Sequence, residues 1–175
     1  APPARVLVLG GGHAGSNAAQ LAAALGAKVA ILTRWAATRE ALAARLGPAV
    51  ETGLATPGAI ERHALEADLV VGAVFVPGAP TPKLLPRWLV ARMKRGAVIV
   101  DVSIDAGGIA ETSRPTTLAE PAFVAEGVVH YCVPNMPSAV ARAGAAALSA
   151  AALPYARALP GKGIARALRE DPGLR

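Results

Sequence analysis

Short apolar runs alternate along this chain with longer stretches in which small and aliphatic residues recur at helical spacing. Arg5–Leu9 is rich in β-branched and aliphatic residues, predicts a buried first strand, and runs into three consecutive glycines. Ala14–Leu25 predicts a helix that Gly26 stops. Lys28–Leu32 reads as a second strand, and Ala36–Leu46 as a helix closed by Gly47-Pro48. Thr56, with Pro57 at a first helical position and Glu61 nearby, opens a short helix to about Glu66. Asp68–Val74 is an apolar strand, followed by a loop over Pro77–Pro86 that holds four prolines. Pro86–Met93 looks helical, and Gly96 leads into Ala97–Val102, the most strand-like run of all. Ala122–Val124 and Val128–Val133 give two further short strands. Ser138–Ala158 is a long Ala-rich helix in which Pro154 predicts a kink or break, and Gly163–Arg169 is a final short helix.

Strands alternating with helices predict an α/β fold: a doubly wound parallel sheet forming one domain over residues 1–175. No internal repeat and no disordered linker interrupts it. Composition agrees: 53% of residues are hydrophobic and 3% aromatic, so the core must be built from Ala, Val, Leu and Ile. Such a core suits helices lying close on a parallel sheet and excludes disorder. The formal net charge of +6 invites a nucleic-acid reading, but the arginines are scattered and no aromatic residues interleave a basic stripe. No nucleic-acid partner is expected. Cys132 is the only cysteine, which rules out an internal disulfide and suits a reducing cytoplasm. No uninterrupted apolar run reaches membrane-spanning length; Gly144–Leu153 is apolar but too short. No signal peptide is read at the start. A cytoplasmic location and no membrane partner are therefore expected.

The first candidate chemistry lies after the first strand. Gly10-Gly11-Gly12-His13-Ala14-Gly15 matches G-x-G-x-x-G, and it follows a strand and opens a helix as the dinucleotide-binding (Rossmann) motif requires. Gly10 permits the tight turn, Gly12 lets a pyrophosphate approach the backbone, and Gly15 lets the helix lie close on the strand. The helix N-terminus then offers N–H groups and partial positive charge to the phosphates, with His13 and Ala14 at its mouth. His13 borders either the pyrophosphate or solvent. Domains specific for NAD usually carry an acidic residue about 20 positions further on, at the end of the second strand. Here that strand ends Ile31-Leu32-Thr33-Arg34, without the acid. Thr33 offers only a hydroxyl, and Arg34 either meets a 2′-phosphate or points to solvent while Thr33 caps the next helix. NADP use is open alongside NAD.

Three longer motifs carry a family resemblance: GAVFVPGAPTPKL at Gly72–Leu84, VIVDVSIDAGGIAETSRPTT at Val98–Thr117 and HYCVPNMP at His130–Pro137. Together they resemble alanine dehydrogenase, with the NAD domain of proton-translocating transhydrogenases as near neighbour. Asp105, where the transhydrogenase pattern has Glu, and the run Glu111–Thr117 favour the dehydrogenase branch. The resemblance spans about Arg5 to Leu174 and implies roles. Asp105 matches the family's catalytic aspartate near the nicotinamide, with Ile104 lining the coenzyme site. Val74 and Phe75 lie along the coenzyme, and Arg114 matches a coenzyme-contacting arginine. Val133, Pro134, Asn135 and Met136 match the loop flanking the nicotinamide. Thr33 takes the place of the family's ribose-binding aspartate and Ala55 that of a coenzyme-contacting serine, so those two contacts do not carry over. Read without the family, Asp105 is more simply a turn-forming Asp before Gly107-Gly108.

His130 on a strand and His63 on a short helix have ordinary structural explanations, Cys132 reads as a small buried hydrophobe, and no metal site is assigned. The resemblance implies reversible oxidative deamination of L-alanine to pyruvate and ammonia. It also implies a second, substrate-binding domain before the first strand, against which residues 155–175 could lie, and a homo-oligomer, hexameric in the family. The chain would then be a portion of a longer enzyme, one subunit of a split enzyme, or a stand-alone coenzyme-binding module. Alone, it is expected to show no turnover.

Overall fold

A computed structural model describes residues 2–174. The strands are β1 (Arg5–Leu9), β2 (Lys28–Thr33), β3 (Val50–Leu54), β4 (Leu69–Gly72), β5 (Val98–Asp101), β6 (Ala122–Ala125) and β7 (Val128–Tyr131). The α-helices are α1 (His13–Ala24), α2 (Ala36–Leu46), α3 (Pro57–Glu66), α4 (Arg87–Val90), α5 (Ala141–Lys162) and α6 (Ile164–Glu170). The chain divides into one compact unit up to Pro134 and a second from Asn135 onward.

In the first unit the strands form one sheet in the order β3-β2-β1-β4-β5-β7-β6. Alternate residues of each strand face opposite sides. Leu7, Leu9, Leu32, Val70 and Ile99 lie on one face with Ile60 and Ala64 of α3 and Leu89 and Val90 of α4. Val6, Val8, Val29, Ile31 and Val71 lie on the other with Ala19 of α1 and Leu42 of α2. Helices cover both faces, so Val6–Leu9 are buried without a polar interruption. Each large aliphatic side chain so buried contributes about 1.5–3 kcal/mol.

Three features differ from the sequence reading. First, β3 is a strand that no apolar run announces: of VETGL only Val50 is buried, because it forms the sheet edge beside β2. Second, the sheet is not wholly parallel. β6 runs antiparallel to β7, joined through Glu126 and Gly127, both at positive φ (53° and 78°). That is the backbone a two-residue hairpin turn demands. Third, several predicted strands overrun: β4 stops at Gly72, β5 at Asp101 and β7 at Tyr131, where the chain leaves the ladder to form the loops of the sheet's carboxyl edge. Thr56 does open α3, its hydroxyl accepting from the Ala59 N–H at 3.3 Å with Pro57 next.

The second unit holds a 3-10 turn (Met136–Val140), α5, α6 and a last turn at Pro172–Leu174. α5 runs on through Pro154 and Pro160, so of the expected kink or break a break does not occur. A proline forfeits its own N–H bond, but the alanine-rich turns on either side have strong helix propensity and bridge the gap. No residue of α5 is buried. Among the described residues, Met136–Lys162 is long and apolar enough to cross a membrane by length and composition, which the ten residues Gly144–Leu153 read alone understate. Glu170 ties the end of this unit together, accepting from Lys162 Nζ at 2.8 Å and Arg166 Nε at 2.6 Å.

Candidate functional site

The carboxyl ends of the parallel strands β1, β2, β4, β5 and β7 share one edge of the sheet. Most of the residues singled out in the sequence fall there. The Gly10–Gly15 turn leaves β1, Thr33-Arg34 ends β2, Val74-Phe75 follows β4, Ile104-Asp105 follows β5, and Val133-Pro134 follows β7. Asn135, at φ 49°, and Met136 belong to the second unit.

Within the turn the three motif glycines are not equivalent. Gly10 sits at φ 110°, and a Cβ there would lie 2.2 Å from the Ala73 carbonyl oxygen. Its N–H donates to Leu32 O at 2.9 Å, tying the turn to β2. A Cβ on Gly15 would lie 2.0 Å from the Gly10 carbonyl oxygen and 3.2 Å from Val8 Cγ1, so α1 is pressed on the turn itself as well as on the strand. A Cβ on Gly12 would meet nothing within 4 Å. The fold does not need a glycine at that position. Gly12 is the N-cap of α1; no side chain caps the helix and no acidic residue occupies its first turn. An N-terminus so left can receive an anion. His13 and Ala14 are exposed beside it. Gly11, which the motif treats as variable, is constrained too: a Cβ there would lie 2.8 Å from Leu42 Cδ1 and 3.1 Å from Thr33 Oγ1.

Thr33 is buried at the end of β2, and Arg34 is exposed with its guanidinium 4.7 Å from the centroid of Trp35. Thr33 does not cap α2; the N-cap is Trp35, in an extended conformation and with no side-chain hydrogen bond. Ala55 is half-buried, its N–H donating to Thr33 O at 2.9 Å.

Three residues that the sequence did not single out hold the β4 and β5 ends in shape. The Ser103 hydroxyl accepts from Val74 N–H at 2.9 Å and donates to Val74 O at 2.8 Å, leaving Val74 half-buried and Phe75 largely exposed. Asp105 is exposed on a 3-10 helix (Val102–Ala106), next to buried Ile104. At the end of β5, Asp101 is fully buried; one carboxylate oxygen accepts from Ile109 N–H at 2.8 Å and Ser113 Oγ at 2.6 Å. Its other oxygen is buried without a hydrogen-bond partner. Lys83 Nζ donates to the carbonyls of Gly107, Gly108 and Ala110 at 2.5, 3.0 and 3.1 Å. These placements depend on contacts between residues far apart in the chain, which no spacing rule reveals.

Arg114 is exposed with its guanidinium 4.1 Å from the centroid of Phe123. Because β6 is antiparallel and Ala122 pairs with Tyr131, Phe123 begins at the same carboxyl edge. Phe123 stacks on His130, whose ring is fully buried. Its Nδ1 donates to Val128 O at 3.0 Å, so its Nε2 accepts from the Thr112 hydroxyl at 2.7 Å. Burial holds the imidazole pKa below its usual value of 6.5. Burial likewise pushes the Cys132 thiol up from 9.0, which makes it inert. His63 sits at the opposite, amino edge, with Nε2 3.4 Å from Glu51 Oε1. The open cavity there is lined by Arg5, Lys28, Glu51, His63 and Glu66; Glu66 pairs with Arg5, and Glu51 lies 4.0 Å from the Arg62 guanidinium. Among the described residues no cluster of His, Cys, Asp and Glu is arranged to hold a metal.

Comparison with known proteins places this architecture. The family model described as alanine dehydrogenase/PNT, C-terminal domain matches residues 1–175. An alanine dehydrogenase of Halomonas elongata is 51% identical over 169 residues, covering 97% of this chain and 46% of that protein. The solved structure of an L-alanine dehydrogenase superposes with a TM-score of 0.89 at 43% identity, covering 98% of this chain and 47% of the other. A transhydrogenase from Sinorhizobium meliloti is more distant, with a TM-score of 0.66 and 28% identity over 76% of this chain and 37% of its own. The chain thus spans about half the length of the alanine dehydrogenases it matches. It belongs to the alanine dehydrogenase/PNT C-terminal domain family.

Proposed function

We propose that this chain binds a nicotinamide dinucleotide along the carboxyl edge of its sheet and forms the coenzyme-binding part of an alanine dehydrogenase. One observation carries the reading. Gly10 and Gly15 are demanded by packing, whereas Gly12 stands before open space at the uncapped start of α1. A glycine that the fold does not need fits a turn against which a pyrophosphate must lie. The N–H groups at the start of α1 would hold the phosphates, and His13 and Ala14 would border them.

Val74, Phe75 and Ile104 would line the coenzyme after β4 and β5, and Arg114 would contact it from the β6 side. Val133 and Pro134 would flank the nicotinamide, which when bound supplies hydride acceptance. Asp105 would then face the reacting carbon, its carboxylate accepting a hydrogen bond from the water that adds to the imine of alanine. Balanced overall, L-alanine, NAD+ and water give pyruvate, ammonium, NADH and a proton. The protein's part is to orient these groups and exclude bulk water. A substrate domain, corresponding to the half of the relatives that this chain does not match, would supply the other wall of the cleft.

With Thr33 in place of an acid, nothing at the end of β2 repels a 2′-phosphate, and Arg34 is exposed to meet one. Both NAD and NADP are therefore accepted in this reading. Incubating the full-length protein with L-alanine and NAD, and following nicotinamide absorbance, tests the activity. Reduced coenzyme is expected; its absence with a folded, coenzyme-binding protein would overturn the dehydrogenase assignment.

A further inference from the structure

The Gly107–Ala110 turn is held between two opposite charges. On one side the Lys83 ammonium places its three N–H bonds on the carbonyls of Gly107, Gly108 and Ala110. On the other, the buried Asp101 carboxylate receives Ile109 N–H and stands where a Cβ on Gly108 would come within 2.6 Å. The peptide groups thus point carbonyl to cation and N–H to anion, the orientation both charges favour. Gly107 and Gly108 adopt φ of 102° and 79°, and the Ala106 carbonyl is fixed by Thr81 N–H at 2.8 Å. Leu84 and Leu85 N–H both donate to Ile109 O. The segment Thr81–Leu85 therefore lies along Ala106–Ala110 like a splint, with Lys83 as its central tie. Asp105 lies immediately before this turn, on a short helix whose last bonds are Gly107 N–H to Ile104 O and Gly108 N–H to Ser103 O.

We infer that Lys83 is a positioning residue for Asp105. It fixes the backbone that aims that carboxylate; its ammonium is spent on three carbonyls of the turn, whereas the coenzyme's phosphates, on the proposed function, would be held at the β1 turn. The inference rests on the proposed role of Asp105. Arginine cannot serve the same purpose in full, because a planar guanidinium spreads its donors over a fork and cannot serve three carbonyls from one atom.

A double-mutant cycle in the full-length protein tests this. Lys83→Met is expected to lower kcat on the order of tenfold or more, with the coenzyme dissociation constant within about twofold of the parent, as misplacement of a reacting group predicts. Lys83→Arg is expected to recover part of that loss. In an Asp105→Asn background, Lys83→Met is expected to cost little further. An equal loss in both backgrounds, an unchanged kcat in Lys83→Met, or a weakened coenzyme without a change in kcat would each overturn the inference. A near-normal kcat in Asp105→Asn alone would instead sink the role of Asp105, so the two failures are distinguishable.

Discussion

The Ser103 hydroxyl closes a ring with a single residue on the neighbouring strand's loop, accepting from the Val74 amide and donating to the Val74 carbonyl at 2.9 and 2.8 Å. This pair sets the path of the chain after β4, along which a coenzyme would lie. Ser103→Ala leaves a part-buried N–H and C=O unpaired, which typically costs about 1–3 kcal/mol. Thermal or urea unfolding should show that loss. Titration should show weaker coenzyme binding in the same variant, since Val74 and Phe75 lose their fixed backbone.

The β1 turn separates packing from binding. Gly10→Ala brings a Cβ against the Ala73 carbonyl and keeps a positive φ, and Gly15→Ala brings one against the Gly10 carbonyl. Both are expected to destabilise the protein by about 1–3 kcal/mol or more, the range of backbone strain and overpacking. Circular dichroism melting curves check this directly.

Arg34 decides between coenzymes. If it meets the 2′-phosphate, Arg34→Ala raises the dissociation constant for NADP by roughly tenfold, about 1.4 kcal/mol, and leaves that for NAD nearly unchanged. A large preference of the parent protein for NAD would contradict the reading of Thr33 and Arg34.

His130 makes stability depend on pH. Its folded pKa lies below 6.5 because burial disfavours the imidazolium. Below that value the unfolded chain binds a proton that the folded chain does not, so stability is full above about pH 6.5 and falls as pH drops towards the folded pKa. The slope for one proton is at most about 1.4 kcal/mol per pH unit. Urea unfolding between pH 7 and 5 should show the parent losing more stability than His130→Gln as pH falls. Parallel curves would show that the ring titrates normally.

Asp105→Asn removes the negative charge and keeps the shape. In the full-length protein, turnover is expected to fall by on the order of 10²-fold or more, the usual worth of a positioned acid–base or water-orienting group. Coenzyme binding by the same variant should stay close to that of the parent.

Much of this architecture is legible in the chain itself, and the reasons are physical. Strands buried on both faces appear as unbroken apolar runs, so β1, β2, β4 and β5 stand out. An edge strand with a single buried residue, Val50 of β3, has no such run. Strand direction is not written in periodicity either, although Glu126-Gly127 between two short apolar runs is a hairpin signal that reverses the chain at β6 and β7. At the site, Gly10, Gly12 and Gly15 follow from spacing and context. Ser103, Asp101 and Lys83 do not. Their partners lie 29 residues away for Val74, 8 and 12 for Ile109 and Ser113, and 24 to 27 for the carbonyls that Lys83 holds. Only the folded sheet brings them together.

The central claim, that a dinucleotide phosphate lies against the β1 turn, is tested most directly at Gly12, where an added Cβ would meet no atom within 4 Å. Isothermal titration of NAD and NADP into the full-length protein and its Gly12→Ala variant, paired with their melting temperatures, gives the answer. The account predicts a melting temperature lowered by no more than the small cost of alanine at an N-cap, and a dissociation constant raised by roughly tenfold or more. Equal affinity in the two proteins would contradict it.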